Sequence, residues 1–254
     1  MKRRLFLRNS ALSTLALTIP AIRSFGNNFS PGYNLPRRVL GKTGEKLSVI
    51  GFGGIMLNDN PQDFANELVA KSYELGVNYY DVAPGYGNAQ ERLGPALKPY
   101  RKNCFLACKT QKRNAAEAQA ELEDSLRKLE TDYFDLYQLH ALSSVNEVEQ
   151  VFAEAEKRGM GILALKAMAL TRLEQGEQKL YKNVWYRPVA DEEVMKMALK
   201  YTLSKNITAA VPPGQNTLFL KALEFMNDYQ PITDNETQKL LTLAKTTKPV
   251  FMHS

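Results

Sequence analysis

Three short runs decide how this chain folds: Val77-Asn78-Tyr79-Tyr80-Asp81-Val82, Cys104-Phe105-Leu106-Ala107-Cys108 and Phe134-Asp135-Leu136-Tyr137-Gln138-Leu139. All three are apolar and rich in aromatic or β-branched residues, which marks them as strands. Helical patterns separate them. Asn88 to Leu97 follows the first run, and Ala115 to Leu129 follows the second, with Ala118, Leu122, Leu126 and Leu129 as its expected buried face. Strand, helix, strand in regular alternation is the signature of parallel strands joined by crossover helices.

The same alternation extends outward. Towards the amino terminus, a strand is expected over Leu47 to Phe52. A helix over Gln62 to Leu75 follows, with Phe64, Leu68 and Val69 on one stripe and Gly76 as its stop. Towards the carboxyl terminus, Val148, Val151, Phe152 and Ala155 predict a helix over Asn146 to Arg158, and a strand over Ile162 to Leu165 comes next. A loop of about twenty residues leads to a helix carrying Val194, Met197, Ala198 and Tyr201. Thr208 to Val211 reads as a strand, Phe219, Ala222, Leu223 and Met226 as a helix face, and Thr233-x-x-Glu236 as the capping box of a last helix. These make six βα units, whereas a closed barrel of this class has eight.

At 254 residues, with 44% apolar and 24% charged residues, the chain suits one sizeable domain. Residues 1–26 stand apart. They hold Lys2, Arg3, Arg4, Arg8 and Arg23, no acid, and an apolar run from Ala11 to Ile22, which is the layout of an export signal. The run is broken by Ser13, Thr18 and Pro20, so it suits a cleaved signal better than a membrane anchor. Arg3-Arg4-Leu5-Phe6-Leu7-Arg8 resembles a twin-arginine address, which implies export machinery as a partner and a periplasmic destination; the alternative is a cytoplasmic chain with a chance pair of arginines. Without those five cations the formal charge falls from +6 to +1, so the basic balance points to no nucleic-acid partner. Residues 27–36 read as a linker and 37–254 as the folded domain. Two cysteines and two histidines provide no ligand set for a metal, and Cys104 and Cys108 on one strand would be too far apart for a disulfide.

Functional residues of parallel α/β folds collect at the carboxyl ends of the strands. Asp81 ends one strand, Tyr86 follows it in Pro84-Gly85-Tyr86-Gly87, Lys109 ends the next and His140 the one after. Taken singly, these are a helix cap, a turn residue and a structural histidine. At three successive strand ends, however, an acid, a phenol, an ammonium and an imidazole can converge. Strand alternation sends Cys108 away from Lys109, towards the helices. Gly41-Lys42-Thr43 lacks the earlier glycine of a phosphate-binding loop and reads as a hairpin turn, and Gly51-Phe52-Gly53-Gly54 marks only a close backbone approach. Leu170 to Ala190 carries Trp185, the sole tryptophan, with Tyr181 and Tyr186. It is either a lid, a pocket wall or aromatic packing on the rim.

Tyr80-Asp81-Val82-Ala83-Pro84-Gly85-Tyr86-Gly87, Ala107-Cys108-Lys109-Thr110 and Leu136-Tyr137-Gln138-Leu139-His140 resemble the aldo-keto reductases, and the likeness runs over most of residues 37 to 220. The resemblance implies a TIM-type (β/α) barrel and an oxidoreductase that reduces an aldehyde or ketone to an alcohol with NADP(H) or NAD(H). By the same resemblance, Tyr86 is the general acid, Lys109 eases its proton loss, Asp81 holds Lys109, and His140 orients the carbonyl. The implied cofactor contacts are Gly53, Gly54, Ile55, Met56, Leu165, Lys166, Pro213, Gly214, Gln215 and Asn216, and the implied substrate contacts are Trp185 and Tyr186. The arginine usual after the Pro213-Gly214 loop is missing, since 215–220 holds no cation.

Against the family's pattern, one helix stands between the His140 strand and the Leu165 strand where two further strands belong. An internal deletion of about two βα units explains this, and it predicts either a smaller barrel or an open edge that invites self-association. It also supports a second reading, a catalytically degenerate relative that acts as a cofactor-binding or subunit protein.

Overall fold

The computed structural model describes residues 35–140 and 157–250. The expected export signal, most of the expected linker and most of the helix expected over Asn146 to Arg158 lie outside these residues.

The described chain opens with an antiparallel hairpin, β1 (Arg37–Val39) against β2 (Lys46–Ser48). Its turn holds Gly41 at φ 53°, where an added Cβ would fall 2.3 Å from the backbone nitrogen of Gly161. Only glycine fits there. The strand expected over Leu47 to Phe52 is therefore two pieces. Its first half belongs to the hairpin, while Ile50 bridges Ala210 and β3 (Phe52–Gly53) joins the parallel sheet. Local polar bonds make the break: the Ser48 hydroxyl donates to Ile50 O at 2.8 Å, and Ser48 N donates to Asn78 Oδ1 at 2.7 Å.

From β3 the chain runs through α1 (Gln62–Glu74), β4 (Tyr79–Asp81), α2 (Ala89–Leu97), β5 (Phe105–Thr110), α3 (Ala115–Lys128) and β6 (Leu136–Leu139). After the undescribed segment come β7 (Leu163–Leu165), β8 (Ala169–Arg172), β9 (Tyr186–Pro188), α4 (Glu192–Ser204), β10 (Ala209–Val211), α5 (Asn216–Phe225) and α6 (Asp234–Thr246). The parallel strands run in the order β6, β5, β4, β3, then across the Ile50–Ala210 bridge to β10 and β7. Among the described residues no pairing joins β6 to β7, and Leu139 and Leu165 on these two strands are 57% and 46% exposed. The described strands form an arc of a TIM-type barrel wall.

Side-chain alternation along these strands builds two cores. Tyr79, Phe105, Ala107, Ala209 and Val211 point inward and close over Leu40 and Leu47 of the hairpin, which floors the barrel. Phe52, Tyr80, Leu106, Cys108 and Ala210 point outward into the layer packed by the helices. Residues of inward parity beyond Tyr79 and Ala107 are Asp81 and Lys109, so the pattern that fills the floor also aims the polar residues at its carboxyl end.

The helices follow the sequence with two corrections. In α3 only Ser125 is buried, with Leu129 at its C-cap, while Ala118, Leu122 and Leu126 are half-covered. The helix packs on α2 and β5. In α4 the buried stripe is Met195, Leu199 and Leu203 at four-residue spacing, while Val194, Ala198 and Tyr201 face a groove beneath α6. This helix is apolar on two flanks, and the spacing that marks it as a helix does not say which flank is buried more deeply. The capping box of α6 forms as expected, Glu236 N donating to Thr233 Oγ1 and Thr233 N to Glu236 Oε2. The loop expected over Leu170 to Ala190 is instead bounded by the antiparallel ribbon β8–β9, whose register slips between Ala169 and Thr171. A bulged pair with little β-branched content leaves no clear period in sequence.

Candidate active site

Asp81 and Lys109 form an ion pair with both side chains 4% exposed. Asp81 Oδ2 also accepts from the Tyr79 hydroxyl at 3.1 Å, and Lys109 Nζ donates to Val82 O at 3.3 Å. A buried pair persists only when its remaining lone pairs and protons are also met, and these two bonds do that. Tyr79 was not anticipated. Its place two residues before Asp81, on the same strand face, was the available signal.

Tyr86 is placed by a tight turn after β4, with Tyr86 N donating to Ala83 O at 3.1 Å and Ala89 N to Tyr86 O at 3.1 Å. Gly87 beside it has φ 57° and packs so closely on Asn58 that a Cβ would overlap that amide. The Tyr86 and His140 rings meet edge to face, centroids 5.7 Å apart at 89°, and Lys109 Nζ lies 5.8 Å from the Tyr86 centroid. The four residues therefore converge, on strand ends that the inward parity selects.

Burial first, then the Asp81 carboxylate, push the Tyr86 phenol above its ordinary range. The sequence reading expected Lys109 to ease proton loss from this phenol. Its ammonium is bonded to Asp81 and Val82 and lies 5.8 Å from the Tyr86 ring centroid. His140 is held by its own backbone: its N–H donates to Thr110 O at 2.8 Å, and Arg113 donates to its carbonyl at 2.6 Å. Its Nδ1 is buried with no hydrogen-bond partner. Burial, then Lys109, hold the imidazole pKa below its ordinary value, with Asp81 opposing, so it is neutral at pH 7.

Asp81, Tyr86 and His140 line a cavity of about 300 Å³, and Lys109 reaches it only through its bond to Asp81. Of the residues expected at the cofactor, Gly53, Ile55, Leu165, Lys166 and Gly214 line it, as do both expected substrate residues, Trp185 and Tyr186. Gly54 and Met56 do not. Residues 54–57 form a 3₁₀ turn that presents only Ile55 to the cavity; Met56 is buried in the outer core, and a Cβ on Gly54 would meet Val82 at 2.9 Å. Pro213, Gln215 and Asn216 sit beside the cavity at the start of α5 without lining it, the Gln215 amide donating to Asn216 Oδ1 at 2.8 Å. Asn183, Val211 and Pro212 line it unanticipated. Cys108 faces the helices as expected, 3.4 Å from Gln90 Nε2, and both cysteines are free.

A larger cavity, about 640 Å³, opens at the amino ends of the strands beside Arg38, Lys42 and Lys205 and contains none of the four convergent residues.

The sequence model of the aldo/keto reductase family matches residues 49–246. The chain belongs to the aldo/keto reductase family. Among curated relatives, aldo-keto reductase YhdN of Bacillus subtilis is 32% identical over 139 residues, 46% of this chain and 42% of that protein. L-galactose dehydrogenase of Arabidopsis thaliana is 25% identical over 67% of this chain and 62% of its own length. Methylglyoxal reductase YeaE of Escherichia coli is 32% identical over 55% of each. The matches thus span about two fifths to three fifths of these relatives. Among solved structures, the holo form of aldo-keto reductase AKR11C1 from Bacillus halodurans superposes with a TM-score of 0.61 at 20% identity, over 87% of this chain and all of that one, which supports the aldo/keto reductase fold.

Proposed function

We propose that this aldo/keto reductase reduces an aldehyde or ketone to the alcohol, with NADPH or NADH as hydride donor and Tyr86 as general acid. The observation that carries the reading is the meeting of Tyr86, His140 and Asp81 at one cavity at the carboxyl end of the strands, with Lys109 paired to Asp81. Two relatives named as a methylglyoxal reductase and an L-galactose dehydrogenase support an oxidoreductase.

The residues present fit a nicotinamide. Leu165, Trp185 and Val211 give apolar walls for a flat ring, and the orphaned Nδ1 of His140 marks polar capacity that the protein itself leaves unused. Gly53, Ile55 and Gly214 would hold the ring, while α5 begins beside them with no acid in its first turn, so its free amides suit phosphate. When bound, the reduced nicotinamide supplies the hydride.

The protein's own residues then manage the proton and the charge. Tyr86, with its pKa raised, keeps its proton until negative charge grows on the carbonyl oxygen, and releases it there. Neutral His140 serves as a hydrogen-bond donor to that oxygen without competing as an acid. The Lys109 ammonium, 5.8 Å from the Tyr86 ring centroid, favours the phenolate left behind, while its partner Asp81 opposes it.

With no cation over 215–220 and Lys221 paired to Glu192, discrimination between NADPH and NADH should be within about tenfold. Titration of the purified protein with each cofactor, followed by cofactor fluorescence, should show saturable binding of both. Absence of binding by either would remove the function proposed.

A further inference from the structure

Gly51, Phe105 and Val211 border a space in the barrel floor that the ring of Tyr79 fills. A Cβ on Gly51 would fall 2.5 Å from Tyr79 Cδ1 and 2.7 Å from its Cε1, so this glycine is the cradle of the ring. The Phe105 ring meets it edge-on, 6.1 Å between centroids at 70°, and Tyr79 is fully buried. A phenylalanine would fill the same space. What the tyrosine adds is a hydroxyl, whose acceptor among the described residues is Asp81 Oδ2 at 3.1 Å. Burial first, then Asp81, hold the Tyr79 phenol well above its ordinary range, so it remains a donor at every working pH.

The neighbouring tyrosine gives the comparison. Tyr80 is equally buried, but strand alternation turns it to the helices, where its hydroxyl meets Ser72 Oγ at 3.0 Å. Two adjacent buried phenols thus have separate uses. That of Tyr80 closes a bond in the outer core, whereas that of Tyr79 reaches the carboxylate that lines the cavity with Tyr86.

Asp81 divides its oxygens, Oδ1 receiving Lys109 and Oδ2 receiving Tyr79. The division matters to Tyr86. A carboxylate held at Oδ2 does not turn both oxygens to the ammonium, so Lys109 Nζ keeps its second bond, to Val82 O at 3.3 Å, and its place 5.8 Å from the Tyr86 ring centroid. The Tyr79 donor also offsets part of the Asp81 charge, which opposes ionisation of Tyr86. Tyr79 is not among the residues lining the cavity, so its influence passes through the ion pair and not through contact with substrate.

We propose that Tyr79 is a positioning residue for the reduction: its hydroxyl fixes the Asp81 carboxylate and, through it, the Lys109 ammonium that favours the phenolate of Tyr86. The proposal rests on the reductase reading of this cavity, so its test has one arm that needs turnover and one that does not.

Tyr79→Phe and Tyr80→Phe each remove one buried hydroxyl and keep the ring, and both should fold. With an aldehyde that the parent reduces, Tyr79→Phe should lower kcat about tenfold, part of the worth of a hydrogen bond to a charged group. Its KM for the aldehyde and its affinity for NADPH should stay within about twofold of the parent, the pattern of an interaction that counts in the transition state and not in binding. Tyr80→Phe should keep the parent kcat. In a crystal structure of Tyr79→Phe, the Asp81 carboxylate should be turned, with Lys109 Nζ out of bonding distance of Val82 O. An unchanged kcat in Tyr79→Phe, an equal fall in Tyr80→Phe, a raised KM with kcat kept, or an Asp81–Lys109 pair placed as in the parent would each overturn the proposal. A parent without turnover would instead remove the reductase reading, and the crystal structure would then decide whether Tyr79 positions the pair.

Discussion

Replacing Tyr86 by phenylalanine should lower carbonyl reduction by about 10²–10⁴-fold, the usual worth of a positioned general acid. The ring stays and only the hydroxyl leaves, so the contact with His140, 5.7 Å between centroids, and the turn bonds at Ala83 and Ala89 are kept. The variant should therefore unfold like the parent and bind cofactor like the parent. Steady-state rates over a panel of aldehydes, ketones and quinones make the measurement. A variant as fast as the parent would remove Tyr86 as the acid, and a parent with no turnover on any of them would support the degenerate reading.

Asp81 carries the second large effect, expressed in stability. Asp81→Leu leaves the Lys109 ammonium, 4% exposed, without its counter-charge, and should cost about 3–5 kcal/mol in urea unfolding. Adding Lys109→Met to that variant removes the stranded charge and should restore most of the loss, because a buried ion pair is often replaceable by packed apolar groups. The double variant should remain inactive, since the field beside Tyr86 is gone. A single Asp81→Leu variant as stable as the parent would show that the pair is more hydrated than its burial indicates.

Much of this was legible in the residues. Runs such as Val77–Val82 and Cys104–Cys108 declared strands, with Asp81 and Lys109 at their carboxyl ends and Cys108 turned to the helices by alternation. Where the sequence fell short, a non-periodic interaction prevailed. Ser48 and Asn78 bend the chain between hairpin and barrel through side-chain bonds that no hydrophobic pattern records. The 3₁₀ turn at Gly54–Leu57 sorts Ile55 from Met56 by turn geometry, which the sequence alone does not fix. The half-covered face of α3 and the exposed Leu139 and Leu165 go with the lack of pairing between β6 and β7 among the described residues, a tertiary feature that no local pattern records.

The central claim is that hydride passes from a reduced nicotinamide to a carbonyl carbon in the cavity beside Tyr86. The most direct test incubates the parent protein with NADPH or NADH carrying deuterium at the transferable position of the nicotinamide, together with an aldehyde. The alcohol product is then read by mass spectrometry. The expected result is one deuterium at the carbinol carbon of the alcohol, formed at a rate that Tyr86→Phe lowers by about 10²–10⁴-fold. Alcohol formed without deuterium at that carbon, or no alcohol from either cofactor, would contradict it.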